Sequence, residues 1–199
     1  EIGHPHQAYH ERQWTTAGVV ELIHRLSMAR GLDEIMETVR RGARHLTGAD
    51  GVSFVLRDDG KCFYADEDAI APLWKGQRFP MSACISGWAM LHREPVVIED
   101  IYADSRIPHD AYRRTFVKSL VMVPVRQEDP VAAIGAYWAS RRRPDPAEVD
   151  LLMTIANGAA VAMTNVALYS SLVAAKEEAE RNALAAEQAG RAKLFFLAN

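Results

Sequence analysis

From Pro146 to Asn199 the sequence holds no breaker strong enough to stop a helix, and the start of that helix is clearly marked. Asp145 is placed to cap the first turn, Pro146 suits the first helical position, and Glu148 lies where the positive end of the helix dipole favours a carboxylate. Within the run, Leu152, Ile155, Ala159, Ala162, Val166, Tyr169 and Val173 alternate at spacings of three and four, the seam of a coiled coil or helical bundle. The spacing predicts that two identical chains pair along this seam. Past Val173 the register meets Lys176 and Glu180, while a shifted register offers Leu172, Ala175, Ala179, Ala186 and Ala189, whose small side chains hold weakly. Two readings stay open here: a solvated, alanine-rich helix, or a deliberately weak signalling coiled coil.

Ahead of this helix the pattern changes repeatedly. From about Tyr9 to Ala29, Val19, Ile23 and Leu26 recur at helical spacing, and Gly31 ends the segment. A second helix is predicted over LDEIMETVRRGARHLTGA, with Leu32, Ile35, Val39 and Leu46 on its apolar face and Gly48 as its cap. Val52, Phe54 and Leu56 then alternate, Asp59-Gly60 signals a hairpin, and Cys62 and Tyr64 continue the alternation on a returning strand. Between Glu67 and Ala83, Pro72, Gly76 and Pro80 leave room only for loops or a short helix. CISGWAMLHRE reads as helix, PVVIED as a short strand, YADSRIPHD as loop, and DAYRRTFV as a short helix with Tyr112 and Phe116 on one face. SLVMVPVR and VAAIGAYWAS are two closing strands around the turn QEDP. This order predicts an α+β domain with a central antiparallel sheet, flanking helices and a long C-terminal coiled-coil helix.

Composition narrows the function classes. The chain has 199 residues, 49% of them hydrophobic and 25% charged, with a net charge of -3, so no basic surface points to a nucleic-acid partner. No uninterrupted apolar run approaches the ~20 residues of a bilayer span, and the leader EIGHPHQAYHERQW is polar and His-rich, unlike a signal peptide. A cytoplasmic segment without a membrane span is the expectation. Cys62 and Cys84, the only cysteines, each fall in a predicted core element, which favours reduced thiols over a structural disulfide; their spacing does not suit zinc, and no metal site is expected.

Residues 31–167 resemble a GAF domain. The likeness is carried by CISGWAMLHREPVVIEDIYADSRIPHDAYRRTFVKSLVMVPVR followed by AAIGAYWA: a cysteine before SGWA, a helix running into a REPVVI strand, an acidic turn, a short helix and a glycine-containing last strand. The resemblance implies a central antiparallel sheet with dimer-forming helices on one face and a pocket on the other, roofed by residues 67–118. KLFFLAN at positions 193–199 resembles the start of the dimerisation and phosphoacceptor helix of sensor histidine kinases, just before the phosphorylated histidine. On that likeness, residues 1–30 form an N-terminal linker and dimer helix, and residues 168–199 a signalling coiled coil leading into a kinase dimerisation domain. The apolar end then reads as a cut edge.

The candidate pocket residues are Phe54, Tyr64, Trp74, Phe79, Trp88, Tyr112, Phe116 and Tyr137, because apolar walls with a few polar groups suit a small ligand; the same aromatics also serve as core filling. Cys84 joins them, since a thiol at a helix N-terminus has its pKa lowered, although a buried inert cysteine is the plainer reading. Asp100 joins them from an acidic-basic turn with Asp104 and Arg106 that could orient an anion or merely form surface ion pairs. The cysteine-histidine pair of cyanobacteriochromes is absent, as is the asparagine-lysine-phenylalanine-aspartate-glutamate signature of cyclic-nucleotide GAF domains. His92 and His109 lie near the pocket elements without a second feature supporting haem. No cofactor is identified, none is expected to be covalently bound, and no catalytic residue is assigned.

The function expected from the resemblance is that of a sensory segment of a two-component histidine kinase, itself a protein-histidine phosphotransferase. Its partners would be a second copy in a parallel homodimer, the downstream kinase core, a response regulator and a small-molecule ligand. Val19, Ile23, Leu26, Leu152, Ile155, Ala159, Val166, Tyr169 and Val173 are the expected dimer-helix residues. The competing expectations are a cysteine-dependent enzyme similar to the GAF-type methionine sulfoxide reductases, and a ligand-free dimerisation module.

Overall fold

The computed structural model describes the backbone of residues 5–198 and the side chains of residues 16–198. His4, His6 and His10 of the polar leader lie outside the described side chains. The chain runs α1 (Pro5–Met28), α2 (Leu32–Thr47), β1 (Gly51–Asp58), β2 (Lys61–Ala69), β3 (Arg78–Pro80), α3 (Ile85–His92), β4 (Val96–Ile98), α4 (His109–Tyr112), β5 (Ser119–Val125), β6 (Ala132–Trp138) and α5 (Pro146–Leu197). The strands form one antiparallel sheet in the order β3-β2-β1-β6-β5-β4. This is the α+β architecture the sequence predicts.

The β1–β2 turn follows from its two residues. Asp59 and Gly60 both take positive φ, 47° and 71°, which a two-residue hairpin turn of matching twist requires and which this pair tolerates. Strands β5 and β6 are buried along their whole length on both faces, which explains their nearly continuous apolar sequences SLVMVPV and AAIGAYW. Strand β3 was not expected: three residues beside a proline give no alternation to read, and its partner β2 supplies the ladder. The predicted helix DAYRRTFV shrinks to α4, so Phe116 lies beyond its end.

The sheet separates two cores. On one face α1, α2 and α5 pack Leu26, Ile35, Val39, Leu152 and Ile155 against Phe54 and other strand residues; on the other, Tyr64, Trp74, Ile85, Met90 and Tyr137 pack beneath α3, α4 and the connecting loops. A bulge in β2 decides which side chains serve which face. Phe54 pairs with Asp66 while Val55 pairs with Tyr64, leaving Ala65 as the extra residue. Cys62 and Tyr64 therefore face the second core, whereas Asp66 and Asp68 turn to the helices and pair with Arg40 and Arg44. Burial pushes the Asp66 carboxyl up, but hydrogen bonds from Lys75 and Arg40 outweigh it and hold its pKa below the ordinary carboxylate value.

Helix α5 begins as its sequence predicts. The Asp145 carboxylate accepts from Ala147 N–H at 2.8 Å, the Glu148 carboxylate accepts from Asp145 N–H at 2.7 Å, and Arg142 clamps Glu148 with two contacts of 2.8 and 2.9 Å. Its 52 residues span ~78 Å at the α-helical rise. Leu152, Ile155 and Ala159 do not form an interchain seam: they are fully buried against the domain's own core, as is Leu26 of α1, and Ile23 packs against it. Val19 is half-buried. A three-four spacing looks the same whether the helix faces a sheet or a partner helix, so the sequence alone could not divide the two. Val166 is half-buried, while Tyr169 and Val173 are exposed. From Ala167 to Ala198 every residue is exposed.

One stretch of α5 bears on the membrane expectation. Residues 151–175 carry no charged side chain, and α5 is long and apolar enough, by length and composition, to cross a bilayer. Thr154, Asn157, Asn165 and Ser170 interrupt the strongly apolar residues and conceal the run. Leu152, Ile155, Ala156, Ala159 and Ala162 within it are buried in the domain.

Candidate functional site

The face of the sheet opposite α1, α2 and α5 carries a small, partly open aromatic site. Tyr64, Trp74, Phe79, Cys84 and Tyr112 line it, with Ala83, Pro108 and Ala111 at its border, around a cavity of about 40 Å³. Trp74 is its centre, meeting Tyr112 edge-on at 4.7 Å, Tyr64 at 5.4 Å and Tyr137 at 5.6 Å between ring centroids. Its indole N–H donates to the Ala111 carbonyl at 3.2 Å, which ties the roof loop to α4.

Glu67 holds that loop in place. Its carboxylate accepts from the backbone N–H groups of Leu73, Trp74 and Lys75, each at 2.9 Å. The β2 bulge makes this possible, since Glu67 emerges on the face its even-numbered neighbours leave. The sequence signal was only an acidic residue in a strand before a proline-broken loop, and it was missed. Glu67→Ala is expected to destabilise the domain by about 2 kcal/mol by leaving the donors unpaired. It should also raise hydrogen exchange selectively at residues 70–77, which amide exchange by mass spectrometry measures; uniform exchange across β2 and the loop would contradict this role.

The polar groups are few and mostly satisfied. Tyr64 and Ser86 hydroxyls share a hydrogen bond of 3.2 Å, and Ser53 and Tyr137 hydroxyls one of 2.7 Å. The Tyr112 hydroxyl is buried and has no hydrogen-bond partner among the described residues. Burial, with Tyr137 and Cys84 nearby, raises the Tyr112 pKa well above its ordinary value and keeps the phenol a donor.

Cys62 and Cys84 meet in this core although 21 residues separate them in sequence. Both are buried in the same cluster, Cys62 paired across strands with Phe79 and Cys84 following the Pro80 turn. Ser86 Oγ donates to Cys84 Sγ at 3.3 Å, and Cys84 Sγ lies 3.5 Å from the Pro80 carbonyl. The Cys62 S–H bond, followed by Ser86 and the Gly87 N–H, outweighs burial and lowers the Cys84 pKa to about 7. The same Cys62–Cys84 bond, with burial, raises the Cys62 pKa far above the ordinary thiol value.

The other sequence candidates are elsewhere. Phe54 faces the helix-side core, because the phase of an alternating strand does not reveal which face holds the pocket. Tyr137 is fully buried beneath Trp74, and Phe116 packs at the edge of the same core. Trp88 stacks on His92 at 3.9 Å beneath the Arg106 guanidinium, outside the cavity. Asp100 accepts from Tyr102 N–H and pairs with Arg141, also outside it. His109 Nε2 lies 3.1 Å from the Ile101 carbonyl, and neither His92 nor His109 lines the cavity. A cavity of this size holds a molecule of a few heavy atoms, since a water needs ~10–15 Å³ of such space, and is far below the ~300 Å³ and more of cofactor pockets.

A GAF domain family model matches residues 29–164, more than half of the chain. The chain belongs to the GAF domain family. No curated protein matches it. Among solved structures it is similar to the GAF domain of a phosphoenolpyruvate-protein phosphotransferase from Coxiella burnetii, with 14% identity, a TM-score of 0.71, and coverage of 79% of this chain and 96% of that one. It is also similar to free methionine-R-sulfoxide reductase from Neisseria meningitidis in complex with its substrate, with 15% identity, a TM-score of 0.68, and coverage of 85% and 97%. A methyl-accepting chemotaxis protein fragment matches at 19% identity and a TM-score of 0.65, covering 74% and 98%. These likenesses concern the fold, which serves signalling proteins and an enzyme alike.

Proposed function

We propose that this chain is the sensory GAF segment of a cytoplasmic signalling protein that acts as a parallel homodimer, with α5 as its output. One observation carries the reading: α5 continues ~45 Å past the core with a helical seam on its solvent side. Leu168 and Leu172 are 64% and 67% exposed, Ala175 and Ala179 extend them at spacings of three and four, and Val161, 62% exposed, lies seven residues before Leu168 on the same side. A helix of this length draws most of its stability from packing on a partner, and an identical chain offers the same seam in the same register. Beside it, a groove of about 500 Å³ between the end of α1 and α5, lined by Ala29, Arg30, Asn165, Val166 and Tyr169, is open to an approaching helix.

The output we assign is a histidine kinase. Support comes from the resemblance of KLFFLAN to the start of a kinase dimerisation helix and from the exposure of Leu194, Phe196 and Leu197, apolar residues that a four-helix bundle would cover. A cue reaching the sensory face acts only through its differential affinity for two arrangements of the helices, and the small-residue seam after Leu172 lets such arrangements lie close in energy. Single cysteines at Leu172, Ala179 and Ala186 in the full-length protein should cross-link with yields that differ between kinase-on and kinase-off states. Identical patterns in both states would remove the basis for this output.

A further inference from the structure

The cavity, the two thiols and the unpartnered phenol form one arrangement that the helical output does not use. We propose that Cys84 and Cys62 are a hydrogen-peroxide-reactive pair, in which Cys84 is oxidised first and Cys62 resolves it to an intramolecular disulfide.

Four observations carry this. Cys84 lines the cavity directly, whereas Cys62 is fully buried behind it, so an incoming oxidant meets Cys84 first. Both thiols lie in one buried cluster, where Cys62 pairs across strands with Phe79 and Cys84 Sγ lies 3.5 Å from the carbonyl of the next residue, Pro80, so closing an S–S bond of ~2 Å needs a local shift. Tyr112 lines the same cavity, and its buried hydroxyl, without a partner among the described residues, is available as the donor that a bound peroxide needs. The cavity volume of about 40 Å³ admits a two-heavy-atom oxidant and excludes an amino acid such as free methionine sulfoxide. Ala83 at its border is exposed and marks the route in.

The chemistry balances without another reactant. The Cys84 thiolate attacks one peroxide oxygen; an S–O bond forms, the O–O bond breaks, and the departing hydroxide takes a proton to leave as water. Cys62 sulfur then attacks the Cys84 sulfenic acid; the S–S bond forms, the S–O bond breaks, and the hydroxide leaves with the Cys62 proton as a second water. Two thiols lose two electrons and one peroxide is reduced to two waters. The groups facing Cys84 support this order: Cys62 and Ser86 donate to it, Tyr64, Tyr112 and Tyr137 stand around it as neutral phenols, and Arg57 on β1 acts on Cys62. The lowered pKa of Cys84 raises its thiolate fraction at neutral pH above that of an ordinary thiol.

The test treats the whole chain with one equivalent of hydrogen peroxide and follows intact mass and peptide maps. We expect loss of two hydrogens, a Cys62–Cys84 cross-linked peptide within one chain, and a rate at pH 7 at least about fivefold above free cysteine. Cys62→Ser should stop at a Cys84 sulfenic acid trapped by dimedone, and Cys84→Ser should abolish the fast phase. Tyr112→Phe should slow the peroxide reaction about tenfold while its pH midpoint stays near that of the unaltered chain. A sulfenic acid persisting beside a free Cys62 in the unaltered protein, a disulfide between chains, or a rate no greater than that of free cysteine would each overturn the assignment.

Discussion

Gly87→Ala is expected to destabilise the domain by about 3 kcal/mol and lower its Tm by roughly 10 °C. A Cβ at position 87 would sit 1.9 Å from the Met81 carbonyl oxygen and 2.5 and 2.6 Å from the Met81 carbonyl carbon and Cα. These are backbone atoms of the turn that enters α3, so no rotamer change relieves the overlap, and the turn must move away. That movement has a chemical readout. The Gly87 N–H helps to hold the Cys84 pKa down, so the pH midpoint of Cys84 reactivity should rise from about 7 towards the ordinary thiol value. The natural comparison is Gly190→Ala, another glycine within a helix, whose added Cβ meets nothing within 4 Å. It should raise the helicity of α5 and leave the midpoint of domain unfolding where it was. Calorimetry and thiol titration of the two variants check both halves; a Gly87→Ala protein of unchanged Tm would show that the Met81 turn yields easily.

The second large effect concerns association. Leu168→Glu combined with Leu172→Glu should weaken the proposed homodimer at least about a hundredfold, because in that pairing two leucines per chain would lose a partner surface and four carboxylates would meet on one seam. Both side chains are about two-thirds exposed within one chain, so the fold itself should be unaffected. Ile155→Ala tests the opposite face of the same helix. It should cost about 3 kcal/mol of stability, because Ile155 is fully buried in the domain core, and should leave the dimer constant unchanged in folded protein. Analytical ultracentrifugation across a concentration series separates the two. A double glutamate variant with an unaltered dissociation constant would mean that the chains pair elsewhere or not at all.

These two faces show where sequence reading succeeds and where it stops. Local chemistry was legible: Asp59-Gly60 made its hairpin turn, Asp145 and Glu148 capped α5, and SLVMVPV and AAIGAYW became central strands. Tertiary assignment was not. The spacing of Leu152, Ile155 and Ala159 suits a seam between chains, yet they face their own sheet, while the exposed leucines of the helix are Leu168 and Leu172 further on. Phe54 was assigned to the pocket and lies on the far side of the sheet. Of the remaining site residues, Tyr64, Trp74, Phe79, Cys84 and Tyr112 do meet around one cavity, but Trp88 and Asp100 stand outside it. The Cys62–Cys84 contact was invisible because it depends on how α3 is seated over β2, which no spacing along the chain encodes.

Helix α5 also behaves as a lever. Its first twenty or so residues, ~30 Å, are gripped by the sheet and the neighbouring helices, and the remaining ~45 Å project from that grip. With the fulcrum near Val166, a tilt of about 5° at the core displaces the far end by ~4 Å, about three-quarters of the rise of a helical turn. The same tilt moves the gripped start of the helix by ~2.6 Å, so the far end travels about one and a half times as far as the buried end.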